Sequence, residues 1–63
     1  MRNNIRMLRK KMELRQEDLS TELHVTRQTI NAIENNKYNP SLELAMKLAK
    51  FLNTTVEDLF TLE

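Results

Sequence analysis

At 63 residues the chain has room for one domain and a small core. It contains no glycine, no cysteine and one histidine, which excludes a glycine phosphate loop, a disulfide or thiolate site, and most histidine-built metal or catalytic clusters. Net charge is only +1, but residues 1–40 hold eight Lys/Arg against five Asp/Glu, whereas residues 41–63 hold two against four, so one end alone suits a polyanion.

Helix ends must be read from Asn, Thr and Ser, since glycine is missing and Pro40 is the one proline. Asn3 or Asn4 caps a first helix at about 3–12, striped by Ile5, Leu8 and Met12. Five bases (Arg2, Arg6, Arg9, Lys10, Lys11) precede the first acid, Glu13. Leu19 and Leu23 stripe a second helix at about 16–23. Thr26 caps a third at about 27–35, with Ile30 and Ile33 turned inward. Asn39-Pro40 stops the chain and Ser41 caps a fourth helix at about 42–52, striped by Leu44, Ala45, Leu48, Ala49 and Leu52. Thr55 and Asp58 form a capping-box-like pair opening a short fifth helix that carries Val56, Leu59 and Phe60. His24, Asn36 and Asn53 stand where a left-handed residue would end a helix. No segment reads as a strand by period. The two ends, Met1-Arg2 and Thr61-Leu62, are the one place where a brief pairing is open.

The second and third helices, joined through Leu23-His24-Val25-Thr26, suit a helix-turn-helix spanning about 16–35, with Val25 plugging the corner. On a helical wheel Thr26, Ile30 and Ile33 fall on one side of the third helix. Gln28 and Asn35 lie opposite, flanked by Asn31 and Ala32, with Arg27 further round. That outer face is rich in amides. An amide offers a donor and an acceptor together, matching adenine N6 and N7, and arginine matches guanine O6 and N7. Ala32 is short enough for close approach or for a thymine methyl. The bland alternative is a polar surface helix that happens to carry amides.

Gln16 to Glu34, followed by Asn35-Asn36-Lys37-Tyr38-Asn39-Pro40-Ser41-Leu42-Glu43-Leu44-Ala45, resembles the Cro/repressor-type (XRE) helix-turn-helix family. The resemblance covers about residues 3–60. It implies an all-α, compact five-helix domain of the lambda-repressor-like DNA-binding fold, occupying 1–63 as a single domain. It implies a short stand-alone regulator of transcription that binds operator DNA, usually as a homodimer. Residue by residue, it places Arg27, Gln28, Asn31 and Ala32 against bases. It places Gln16, Thr26, Asn35, Lys37 and Tyr38 on the sugar-phosphate backbone. It pairs Glu34 with a base on the first helix, for which Arg9 is the candidate. The family usually has Ser or Thr where this chain has Arg15, losing an N-cap worth about 1 kcal/mol. The family's turn and loop glycines are replaced here by His24 and Asn36.

The expected function is thus sequence-specific binding of double-stranded DNA, as a repressor or autoregulator. The alternative is an antitoxin-like or partner-recruiting module on the same fold. An enzyme is not expected, because no nucleophile, base and orienting group converge. No cofactor, metal or small-molecule ligand is implied, and His24 lacks a carboxylate cluster. Apolar runs of at most three residues exclude a membrane span, and Met1-Arg2-Asn3-Asn4 lacks an apolar signal core, so a cytoplasmic location is expected. The methionines are expected in core and filler roles. Tyr38 can anchor against Pro40, donate to a phosphate, or both. Val56, Leu59, Phe60 and Leu62 are more apolar surface than a small core absorbs, which points to a homodimer interface at the C-terminal end.

Overall fold

Three hydroxyl side chains start helices where the sequence places them. In the computed structural model, which describes residues 1–62, Thr26 Oγ1 accepts from the Thr29 N–H at 3.1 Å and opens α3 (Arg27–Glu34). Ser41 Oγ accepts from Leu44 N at 3.2 Å and opens α4 (Leu42–Phe51). Thr55 Oγ1 accepts from Asp58 N at 3.2 Å and opens α5 (Val56–Leu59). Each bond satisfies an N–H that a helix start would otherwise leave orphaned.

The other two starts work differently. α2 (Gln16–Leu23) begins after Arg15, whose side chain cannot accept, yet the Asp18 carboxylate reaches back to the Arg15 N–H at 2.7 Å. That is the acidic half of a capping box, and it offsets part of the stability expected to be lost at Arg15. The same bond holds the Asp18 carboxyl below the usual carboxylate range. α1 (Ile5–Lys11) starts later than the caps suggest, because Asn3 belongs to a strand. β1 (Arg2–Asn3) pairs antiparallel with β2 (Phe60–Thr61), Arg2 opposite Thr61 and Asn3 opposite Phe60. The pairing left open at the ends therefore exists, shifted inward by one residue on each strand. Asn4 does not cap with its side chain: its N–H donates to the Leu59 carbonyl at 2.9 Å and its Nδ2 to the Asp58 carbonyl at 3.1 Å. Both asparagines tie the chain ends together.

Four helices end in one motif. Glu13, His24, Asn36 and Asn53 all have positive φ, at 58°, 58°, 61° and 58°. The residue after each donates back across the turn: Leu14 N to Arg9 O, Val25 N to Ser20 O, Lys37 N to Ala32 O and Thr54 N to Ala49 O, at 2.8–3.0 Å. These are Schellman closures made without glycine. Glu13 is the position that sequence reading missed, since glutamate carries none of the left-handed preference of Asn.

Ile5, Leu19, Ile30, Ile33, Leu48 and Leu59 are fully buried, and Leu8, Leu14, Val25, Leu44, Phe51 and Val56 pack around this core. Val25 thus fills the corner between α2 and α3. Three expectations need correction. Met1, Met7, Met12 and Met46 are all exposed: Met1 precedes β1, α1 buries only Ile5, Met12 lies beyond its last turn, and Met46 lies off the buried Ala45, Leu48 and Ala49 stripe of α4. Thr26 is also exposed, since it sits outside the helix as its cap. Leu59 and Phe60 are buried within the single chain at 0% and 8% exposure, because β2 folds Phe60 inward against the core, so they add little surface for a partner. Among the described residues no helix is long and apolar enough to cross a membrane.

Candidate nucleic-acid interface

α3 exposes Arg27, Gln28 and Asn31 along one face, with Ala32 half-buried beside them. Gln16, Arg27, Gln28 and Asn31 line one shallow hollow, and Arg9, Arg15, Gln16, Glu17 and Arg27 line another that adjoins it. The start of α2 and the start of α3 thus share one polar surface. Beyond α3, Lys37 and Tyr38 stand exposed in the loop that leads to α4, and Tyr38 at 51% exposure is no buried anchor.

What holds this surface in place is the carboxylate of Glu34, whose side chain has no exposed area. Arg9 approaches it with two bonds, Nε to Oε2 at 2.8 Å and Nη2 to Oε1 at 3.1 Å. This bidentate geometry is the strongest arrangement an arginine and a carboxylate can adopt. Arg9 Nη1 also donates to the Leu14 carbonyl at 3.0 Å, tying the α1–α2 link to the same centre. Gln16 Nε2 donates to Glu34 Oε1 at 3.2 Å, and Arg6 Nε to the same oxygen at 3.4 Å. One buried carboxylate therefore joins α1, α2 and α3. Burial disfavours its charge, but the bonds from Arg9 and Gln16, the Arg9 charge and the bond from Arg6 outweigh that, holding Glu34 below the usual carboxylate range.

Several candidate side chains already have partners. Gln16, taken as a phosphate contact, spends its amide nitrogen on Glu34. Asn35 spends both ends of its amide: Oδ1 accepts from Arg6 Nη2 at 2.9 Å, and Nδ2 donates to the Asn31 carbonyl at 2.9 Å and to Asn31 Oδ1 at 3.1 Å. Arg15 leans toward Asp18 at 3.6 Å and Glu17 at 4.0 Å, while remaining 75% exposed. Sequence reading missed Arg6, which bridges Glu34 and Asn35. The available signal was its position three residues before Arg9, on the same helix face.

Two apolar hollows lie away from this surface. One is lined by Met1, Val56, Glu57, Phe60, Thr61 and Leu62 at the joined chain ends. The other lies between the end of α2 and α4, lined by Leu23, His24, Lys47, Lys50 and Phe51 among others.

The fold agrees with comparison to known proteins. A helix-turn-helix family model matches residues 5–59. The chain belongs to the XRE-type helix-turn-helix family of transcriptional regulators. It is 51% identical to an uncharacterised HTH-type transcriptional regulator of Methanocaldococcus jannaschii over 63 residues, covering all of this chain and 96% of that one. A protein of the same description from Bacillus subtilis is 44% identical, with the same coverage. Another, from Methanothermobacter thermautotrophicus, is 47% identical over 64 residues, covering all of this chain and 93% of that one. For such a regulator the family implies double-stranded DNA as the partner. The exposed face of α3, with the start of α2 beside it, is where this helix-turn-helix has its polar surface.

Proposed function

We propose that the protein is a sequence-specific repressor or autoregulator that binds a palindromic operator as a homodimer. The observation that carries this reading is the exposed Arg27–Gln28–Asn31 face of α3, fixed on α1 and α2 by the buried Glu34 carboxylate. A helix laid in the major groove reads bases from its N-terminal end, where Arg27 and Gln28 lie, with Asn31 about one turn further along the same face of α3. Gln28 reads an adenine edge, Arg27 a guanine or a phosphate, and Ala32 permits close approach. Thr26, Gln16, Lys37 and Tyr38 flank these residues where the sugar-phosphate backbone would run. Asn35 sits on the same rim.

The homodimer has support at the other end of the molecule. Leu62 is 87% exposed and shares the hollow at the chain ends with Met1 and Val56. That end of the sequence is net negative, so it faces away from DNA. A two-fold axis there places two copies of α3 in successive major grooves, about 34 Å apart, on an inverted repeat.

The test begins with selection of bound sequences from a random duplex library. Gln28→Ala then weakens binding to the selected site by about 1–3 kcal/mol and leaves binding to scrambled duplex nearly intact. Equal loss on both duplexes removes Gln28 from base reading. Selection that recovers no preferred sequence removes the proposed function.

A further inference from the structure

A chain of hydrogen bonds runs from the buried carboxylate out to the face of α3. Arg6 Nε donates to Glu34 Oε1, and Arg6 Nη2 donates to Asn35 Oδ1 at 2.9 Å. Asn35 Nδ2 then donates to the Asn31 carbonyl at 2.9 Å and to Asn31 Oδ1 at 3.1 Å. This chain has one possible direction. A guanidinium only donates, so Asn35 must turn its oxygen toward Arg6. Its nitrogen then faces Asn31, where the backbone carbonyl only accepts. The Asn31 side-chain atom that meets that nitrogen must also be its oxygen. Asn31 Nδ2 is left on the opposite side and makes no hydrogen bond among the described residues.

The consequence lies in what an asparagine shows to a base. Its two ends have nearly the same shape, and a flip exchanges a donor for an acceptor. On the adenine edge, which offers an N6 donor and an N7 acceptor, that exchange sets like against like at both atoms. A free surface asparagine flips at little cost. A flip of Asn31 costs more, because it aims an N–H at the N–H of Asn35 and leaves one donor bond of Asn35 unmade within the chain.

We propose that Arg6 and Asn35 are specificity-determining positioning residues: they set the polarity of the Asn31 amide, and with it the orientation of the base pair that Asn31 accepts. This rests on the base-reading face proposed above. It gives Asn35 a different role from a phosphate contact, since both ends of its amide are committed within the chain.

The experiment titrates the chain against duplexes in which each base pair of the selected site is replaced in turn. Asn31→Ala identifies the base pair under Asn31. At that pair, Asn35→Ala and Asn35→Asp each lower discrimination at least about fivefold, the low end of what one good base contact supplies. Asn35→Asp is the sharper variant, because it still accepts from Arg6 but cannot donate to Asn31. Arg6→Lys, which keeps the charge and loses the fork, moves discrimination in the same direction. Preferences at the pair read by Gln28 stay within about twofold, as expected for a separate contact. Thermal melts confirm that each variant is folded at the temperature of titration.

Two results overturn the proposal. One is an Asn35→Ala chain that loses affinity equally on every duplex with its preferences intact, which is the signature of a phosphate contact. The other is an Asn31→Ala chain with unchanged preferences. Failure of the function itself looks different, since the unmutated chain then shows no preference at any position.

Discussion

Glu34 stands where α1, α2 and α3 meet. Its carboxylate is buried and accepts from Arg9, Gln16 and Arg6. Removing one member of such a group leaves charge unpaired in a desolvated place, which costs more than losing an exposed pair. Glu34→Ala is expected to lower stability in urea by about 3 kcal/mol, the low end for a buried pair because Arg6 is half exposed. A double-mutant cycle with Arg9→Ala is expected to show coupling above about 1 kcal/mol, and strict additivity would contradict the pairing. Acid acts on the same group. The folded chain holds the Glu34 carboxyl below its ordinary value of 4.5, so as pH falls past that value the unfolded chain takes up its proton first. The stabilisation is complete above this range and is lost as pH drops through the folded pKa. Glu34→Gln therefore flattens the acid limb of a stability-versus-pH curve. An acid limb unchanged by that substitution would place the titration elsewhere.

At the scale of the element, helix starts were legible and helix ends only partly so. Thr26, Ser41 and Thr55 cap through their own oxygens, a local act that needs no tertiary partner. His24, Asn36 and Asn53 also announce their turns. Glu13 does not, because glutamate has no preference for the left-handed turn it adopts just before Leu14, which packs against the core. A non-glycine residue there carries strain of about 1–2 kcal/mol, against a glycine entropy cost of about 0.5–1. Glu13→Gly is thus expected to raise the urea midpoint, by about 0.5–1 kcal/mol of stability, and a lowered midpoint would mean the turn is unstrained. The loop after α3 makes a different prediction. Lys37 is exposed where the DNA backbone is proposed to run. Lys37→Ala should weaken binding on all duplexes and reduce the slope of log K against log salt by about one unit. Lost discrimination with an unchanged slope would move Lys37 from phosphate to base.

The whole molecule joins a basic half to an acidic half through one small core, and its two ends through a two-residue strand pair. Closing the ends this way uses Leu59 and Phe60 internally. Phe60→Asp would therefore disrupt the fold itself and says nothing of dimerisation. Leu62 is the usable probe, since at 87% exposure it contributes little to the single chain. Leu62→Asp is expected to leave the monomer melting temperature unchanged. In sedimentation it should shift the protein from dimer to monomer, and operator affinity should fall with it, because two like charges meet across the axis. An unmutated chain that sediments as a monomer at tens of micromolar, with full operator affinity, would overturn both the interface and the inverted repeat.

What the sequence determined by itself is whatever depends on near neighbours along the chain. Apolar spacing located five helices, hydroxyls marked three of their starts, and the run from Gln16 to Ala45 identified the family. The pairing of Arg9 with Glu34 was also within reach, because each lies beside an inward apolar residue on its own wheel. What only the tertiary structure decided is how side chains distant in sequence divide a limited set of partners. Arg6 reaches Asn35 across 29 positions, and Gln16 reaches Glu34 across 18. The Asn3 backbone joins a strand because Phe60 arrives beside it, while its Oδ1 still accepts from the Ile5 N–H at 3.2 Å where α1 begins. Such outcomes follow from which groups meet in space once the core has closed. A one-dimensional pattern names the groups, but each has several possible partners, and only packing chooses among them.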